Sequence, residues 1–356
     1  MITKQDILNA TSYSDIFTDK SSFKKEYTQL MLRFHPDKYN ESDAIIISSK
    51  LNQLYSEAKD HFKDGTWGQV GSTLEIGKTQ SSTMKIVYRY SFENEVGMVY
   101  VGDNNVVYEF DEEKYYNRYL DAVNSIKYKD KKMEDYFARF LPVITDNFKS
   151  YNDKHYIVLS KTPDVFPLNL VADIFTRKEH AAWVMTRLLN MCMLLYVNGF
   201  VHNGICIDSC FVSLEHHGLS LLGGWQFACP NGVKMIGTSM EIFSNLPNDI
   251  QKEKIAKYIV DIESSKMVVK NLLKGNTYLN LEKICGTYMA KFLMNTKRTD
   301  STITTSGWHS YVDNEKERTP LDELRDWEKA RSKTFPKHEF IKIEGFTSDV
   351  VYKGKD

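Results

Sequence analysis

No stretch of this chain approaches the 18 or more apolar residues of a membrane span, and the opening MITKQDILNA lacks the apolar core of a signal peptide. A cytoplasmic location with no membrane partner is therefore expected. An excess of either charge is missing too. The 46 Lys and Arg against 47 Asp and Glu leave a net charge of −1, so no global field draws in nucleic acid, and no nucleic-acid partner is expected. Cysteine is sparse and odd in number. Cys192, Cys206, Cys210, Cys229 and Cys285 sit in apolar stretches, which reads as reduced, structural thiols. Cys206 and Cys210 have no second pair to complete a metal site. Phosphate-binding glycines are short as well. GKT at Gly77 to Thr79 needs a glycine five residues earlier, where Ser72 stands, and Gly71 is one place off. No metal and no cofactor are expected. What the chain does have is 356 residues, 42% hydrophobic and 26% charged, enough for a sizeable core in two or three domains.

The eleven residues LMLRFHPDKYN, Leu30 to Asn40, carry the most information. At 100° per residue, Phe23, Tyr27, Leu30, Met31 and Phe34 share one arc of a helix, with Lys25, Gln29 and Arg33 opposite. Downstream, Ala44, Ile47, Leu51, Leu54, Tyr55, Ala58 and Phe62 recur at spacings of three and four, as in the partner helix of an antiparallel hairpin. Pro36 cannot continue a helix, so His35-Pro36-Asp37 falls in the connecting loop. Taken alone the tripeptide would be an ordinary turn, since Pro and Asp are common turn formers. With a basic helix before it and a second helix after it, the segment resembles a J-domain over residues 1–64. The resemblance implies a DnaK-type chaperone as partner, engaged through His35, Pro36, Asp37, Lys25, Arg33 and Lys38, whose ATP hydrolysis it stimulates. One departure is that the chain passes from Phe62 to Gly65 and Trp67 without the basic final helix many J-domains carry.

Residues 65–84, rich in Gly, Ser and Thr, read as a linker or first strands. KIVYRYSF, GMVYVG and NVVYEF follow as an antiparallel meander turning at Asn104-Asn105. Asp111, Glu112 and Glu113 open a helix with Tyr115, Tyr119, Val123 and Ile126 at helical spacing. HYIVLSK reads as a buried strand, and an apolar helix runs from about His180 to Asn198 with Gly199 as cap. Three strands, a helix, a strand and a mainly helical remainder resemble the protein-kinase-like fold. The stretch Asn198 to Ala228 resembles kinase catalytic and metal-binding segments, and Asp261 stands where kinases bury an aspartate in the central helix of the large lobe. The expected fold class is α+β: an all-α J-domain hairpin, then a bilobal kinase-like domain at 85–340 with lobes dividing near 160, and a tail at 341–356.

Kinase chemistry uses a lysine on the third strand, a loop aspartate, an asparagine five residues on and a metal-binding aspartate. By the resemblance those positions hold Glu109, Gly204, Ser209 and Gly224, which implies a pseudokinase rather than an enzyme. Asp208 is a candidate displaced base, although a loop aspartate is more often a turn or capping residue. His202 reads as a packing residue, and His216 and His217 as a solvated hairpin tip. In the tail, Trp308, Tyr311, Trp327, Phe335 and Phe340 read as core, with Leu321, Leu324 and Trp327 at helix spacing. The combined expectation is a co-chaperone whose second domain binds an unknown protein client. Two alternatives stay open: a kinase-like enzyme with altered residues, performing phosphoryl or nucleotidyl transfer, and a module that blocks a host chaperone.

Overall fold

Polar caps start the first helices. Thr3 and Asp6 cap each other's backbone at α1 (Lys4–Asn9), and Ser12 with Asp15 does the same for the turn that follows. The computed structural model describes residues 2–10, 12–36, 39, 43–64, 67–68, 71–294, 319–336 and 341–353, and it divides into two units, Met1–Arg89 and Tyr90–Asp356.

In the first unit, α2 (Phe23–Phe34) packs on α3 (Ala44–Asp64). The apolar arc expected of α2 faces the core through Phe23, Leu30 and Phe34, against Ile47, Leu51, Leu54 and Ala58 of α3. Tyr27 stacks on Tyr55 with ring centroids 3.8 Å apart. Deleting a buried ring such as that of Phe34 costs about 3–5 kcal/mol, so this seam dominates the unit's stability. Phe62 departs from the expected stripe at 41% exposed, because α3 outruns α2 there; it meets the Phe23 ring at 5.5 Å and the ammonium groups of Lys20 and Lys24 at 5.5 and 5.4 Å. Trp67 covers that end through Tyr13 and Phe23. Beyond it, β1 (Ser72–Thr79) and β2 (Ser82–Tyr88) form an antiparallel hairpin, which places Gly77 to Thr79 on a strand rather than in a phosphate loop.

The run KIVYRYSF divides at Arg89, its second half becoming β3 (Tyr90–Asn94) of the second unit. There β3, β4 (Gly97–Val101) and β5 (Asn105–Phe110) form the expected meander. Next come α4 (Glu113–Asn124), α5 (Lys131–Phe137), β6 (Val143–Lys149) and β7 (His155–Ser160), giving one antiparallel sheet in the order β3-β4-β5-β7-β6. The helix-rich part follows with β8 (Val165–Pro167), α6 (Leu168–Val171) and α7 (Lys178–Val197). Gly199, at φ +72°, stops α7 and donates its N–H to the Tyr196 carbonyl at 3.0 Å, as expected of the cap. Then come β9 (Phe200–Val201), the hairpin β10 (Cys210–Ser213) and β11 (Gly218–Leu221), β12 (Cys229–Pro230), α8 (Met240–Asn245), α9 (Asn248–Glu253) and α10 (Tyr258–Leu272). Helices α11 (Tyr278–Cys285), α12 (Thr287–Met294), α13 (Pro320–Thr334) and α14 (Ser348–Val351) complete the unit. A sheet-rich part followed by a helix-rich part fits the bilobal arrangement implied by the sequence resemblance. One hydrophobic core runs through both, from Val99, Val106 and Tyr108 to Phe166, Phe211 and Leu188.

Helix α13 corrects one expectation. Its buried stripe is Glu323, Trp327 and Ala330, while Leu321 is exposed. Glu323 is inside because Lys266 of α10, itself fully buried, lies 3.4 Å from it and 2.8 Å from Glu263. Trp327 is buried as expected, its Nε1 donating to Thr186 Oγ1 at 2.8 Å. Trp308, Tyr311 and Phe340 lie outside the described residues. Among those residues, no helix is long and apolar enough to cross a membrane.

Candidate functional site

Two places answer to the chemistry expected from the sequence. The first is the junction after α2. His35 ends the helix in an extended conformation, φ −65° and ψ 136°, and Pro36 follows in an exposed turn. The His35 carbonyl accepts the Tyr39 N–H at 2.9 Å, and Ser48 Oγ of α3 donates to the Phe34 carbonyl at 3.0 Å, so both helices hold the departing chain. His35 is half-buried. Lys25 and Arg33 lie on the solvent face of α2 as expected, but Arg33 is partly committed: Nη1 donates to the Ile2 carbonyl at 2.9 Å, and its guanidinium lies 4.8 Å from the Phe34 ring centre. Asp37 and Lys38 lie outside the described residues. Sequence reasoning passed over Leu32, Ile45 and Ile46, which are 57%, 72% and 61% exposed on the two helices of the hairpin. The available signal was that all three fall off the buried stripes.

The second place lies where β5, α4, the loop after β9 and the turn after β11 converge. Asp261, in the first turn of α10, accepts the backbone N–H groups of His202 at 2.7 Å and Asn203 at 2.9 Å. Burial pushes its carboxyl up to about 7. His202 is fully buried edge-on to Trp225, ring centres 4.8 Å apart, and burial lowers it to about 3, as suits a packing residue. His217 corrects its assignment to a solvated tip: it is buried and stacks flat on Trp183 at 4.9 Å, leaving His216 exposed.

The neighbours of Glu109 and Gly224 follow from which face each presents. Glu109 does not face the loop. Tyr156 Oη of β7 donates to its carboxylate at 2.8 Å and Lys154, just before β7, lies 3.3 Å from it, so strand alternation turns Tyr108 toward the loop instead. A Cβ on Gly223 would lie 3.0 Å from Tyr108 Oη and 3.0 Å from Ser209 Cα. Gly223, rather than Gly224, is thus the turn residue that faces Ser209 and the strand. Gly224 has φ +82°, and a Cβ there would lie 2.5 Å from the Gly204 carbonyl oxygen and 2.6 Å from His202 Cε1. A Cβ on Gly204 would meet the Gly224 carbonyl at 2.7 Å. The loop and the turn therefore pack backbone to backbone, and neither leaves room for a carboxylate. Ser209 Oγ bonds within its own loop, accepting the Cys206 N–H and donating to the Cys206 carbonyl, both at 2.9 Å. Between strand and helix, Tyr108 and Tyr119 of α4 pack ring to ring at 5.6 Å, and Tyr119 Oη donates to the Leu222 carbonyl.

Asp208 lies beside this arrangement, its charge acting on Tyr108 and Cys206. It accepts Asn169 Nδ2 at 2.8 Å, and burial raises its carboxyl above the usual range. Cys206 and Cys210 are buried free thiols, and burial pushes Cys206 up to about 12. Among the described residues no three His, Cys, Asp or Glu side chains gather where they could hold a metal ion.

No protein-family model matches the chain, and no curated protein sequence matches it. Among solved structures, that of vaccinia related kinase 3 is similar at a TM-score of 0.49 and 15% identity, over 77% of this chain and 94% of that one.

Proposed function

We propose that the chain is a J-domain-like co-chaperone that recruits and stimulates a DnaK-type ATPase, with a kinase-like second unit that binds a partner and does not transfer phosphate. The observation that carries the first half is the α2–α3 junction, where His35 and Pro36 leave a packed helical hairpin toward solvent beside the cationic face of α2. A hairpin whose two helices are already packed together suits recognition by a second protein, since α2 and α3 need no ordering on binding. For the second half, the support is the contact between Gly204 and Gly224 and the packing of Tyr108 on Tyr119. Phosphoryl transfer depends on positioned charge, and these positions carry none.

The enzyme reading has one observation in its favour, the partly buried Asp208 with its raised carboxyl. A lone carboxylate tied to Asn169 supplies neither the cation for the phosphates nor a second metal ligand, so this reading ranks below the first. The test is the ATPase rate of a purified DnaK-type chaperone with and without the chain. Stimulation supports the co-chaperone, a lowered rate indicates a module that blocks the chaperone, and an unchanged rate removes the chaperone role.

A further inference from the structure

Away from both places, the second unit has a groove of about 560 Å³ where the connector between α4 and α5 passes the end of α7. That is within the range of ligand sites. Its floor is apolar: Val197, 55% exposed on the last turn of the otherwise well-buried α7, with the half-buried rings of Tyr128 and Phe200. Its rim is basic, formed by the exposed Lys127 and Lys129. Asn198 fixes the two walls to each other, its Nδ2 donating to the Leu194 carbonyl at 2.9 Å and its Oδ1 accepting the Lys127 N–H at 2.7 Å. The groove is therefore shaped before any ligand arrives.

The local charge is one-sided. From Lys127 to Lys132 the connector and the first turn of α5 hold four lysines and one acid, Asp130. Asp130 is occupied as the cap of α5, accepting the Met133 N–H at 2.8 Å. Glu134 and Asp135 are engaged by Lys131 at 3.2 and 3.1 Å. Lys127 and Lys129 carry no ion pair among the described residues, so both ammonium groups remain available beside an exposed apolar floor.

We infer that this groove docks an extended acidic peptide segment of a partner protein. An aliphatic or aromatic side chain seats on Val197, Tyr128 and Phe200, and flanking carboxylates meet Lys127 and Lys129. Two rim lysines with no arginine, on a chain of net charge −1, are a poor match for the repeated phosphate contacts of a nucleic acid, and an apolar floor gives phosphates nothing. The inference rests on the second unit being a partner-binding module, and it gives that module a ligand chemistry.

The test is fluorescence anisotropy with the full chain and fluorescein-labelled Glu-Glu-Leu-Glu-Glu and Glu-Glu-Trp-Glu-Glu, compared with a serine-centred peptide, a lysine-flanked peptide and a single-stranded oligothymidylate. The acid-flanked apolar peptides should bind best. Lys127→Glu with Lys129→Glu, or Val197→Asp, should weaken them about tenfold or more, a difference of ~1.4 kcal/mol. The charge-matched control Lys283→Glu with Lys291→Glu should leave binding unchanged. Equal loss in the control, no binding of either apolar-centred peptide, indifference to the central residue, or tighter binding of the oligonucleotide would each overturn the inference. Peptide binding by a chain that stimulates no chaperone upholds the groove, so the two readings fail separately.

Discussion

Two histidine turns, one in each unit, show opposite uses of the same residue type. His35 follows an amphipathic helix and stands half-exposed, with the exposed Pro36 next to it. His202 also precedes a short loop, but it is fully buried between the Asp261-anchored backbone and Trp225. The first turn keeps its side chains where a second protein can reach them. The second has lost reach altogether, because Gly204 and Gly224 press backbone against backbone where the sequence resemblance puts catalytic acids. One turn stays off the core, whereas the other is absorbed into it.

The sharpest way to break this contrast is to place acids at the two glycines where the sequence resemblance expects them. Gly224→Asp forces a Cβ to within 2.5 Å of a backbone oxygen at positive φ, and Gly204→Asp forces one to within 2.7 Å. Each should cost about 3 kcal/mol or more, with Gly224→Asp the worse, as overpacking and backbone strain add. Urea denaturation measures this. A variant as stable as the parent would mean that the loop and turn separate easily, and the absorbed-loop account would fail.

Next in size is pH. The folded state holds His202 near 3, below the ordinary 6.5, so its contribution is present above pH 6.5 and is lost as pH falls through the window toward 3. Asp261 is raised from 3.8 to about 7, so its protonated form stabilises below pH 4 and that contribution is lost as pH rises toward 7. Between about pH 4 and 6.5 the two oppose each other. His202→Leu should tilt stability downward with rising pH relative to the parent, by up to ~1.4 kcal/mol per pH unit. Asp261→Asn should tilt it the other way. Parallel stability–pH curves for the parent and both variants would contradict the buried placement of this pair.

The hairpin of the first unit is the more legible in sequence, because apolar residues at three- and four-residue spacing fix which face of α2 and α3 turns inward. Strand faces are less forgiving. A period of two means that an error of one residue reverses the face, and sequence alone does not show that Glu109 turns to Tyr156 while Tyr108 turns to the loop. Strand β6 escaped notice because it has no fully buried residue, its half-exposed positions alternating with exposed ones. In α13 the charged Glu323 occupies the buried stripe, and its partner Lys266 lies far away in sequence, so no local pattern announces it. The close approach of Gly204 and Gly224 is likewise invisible until the loop and the turn are brought together.

Smaller effects sharpen the other side of the comparison. Lys25→Glu should slow association with a DnaK-type chaperone several-fold at low ionic strength and much less at high salt, since exposed charges mainly steer encounter. Equal association rates for variant and parent at low salt would remove Lys25 from the binding surface. The smallest effect is expected from nucleotide. A ligand at a hundred times its dissociation constant stabilises by about 2.7 kcal/mol, so an unmoved melting temperature in millimolar magnesium-ATP is the predicted result. A clear rise would revive the enzyme reading.

The most direct test compares three forms of the chain in one assay, the ATP hydrolysis rate of a DnaK-type chaperone with parent, His35→Gln and Asp208→Ala added in turn. His35→Gln keeps a polar side chain at this half-buried position and should leave the chain folded, with a melting temperature within a few degrees of the parent's, yet remove stimulation. Asp208→Ala should stimulate as the parent does. Stimulation that survives His35→Gln but vanishes with Asp208→Ala would place the activity in the second unit and contradict the account.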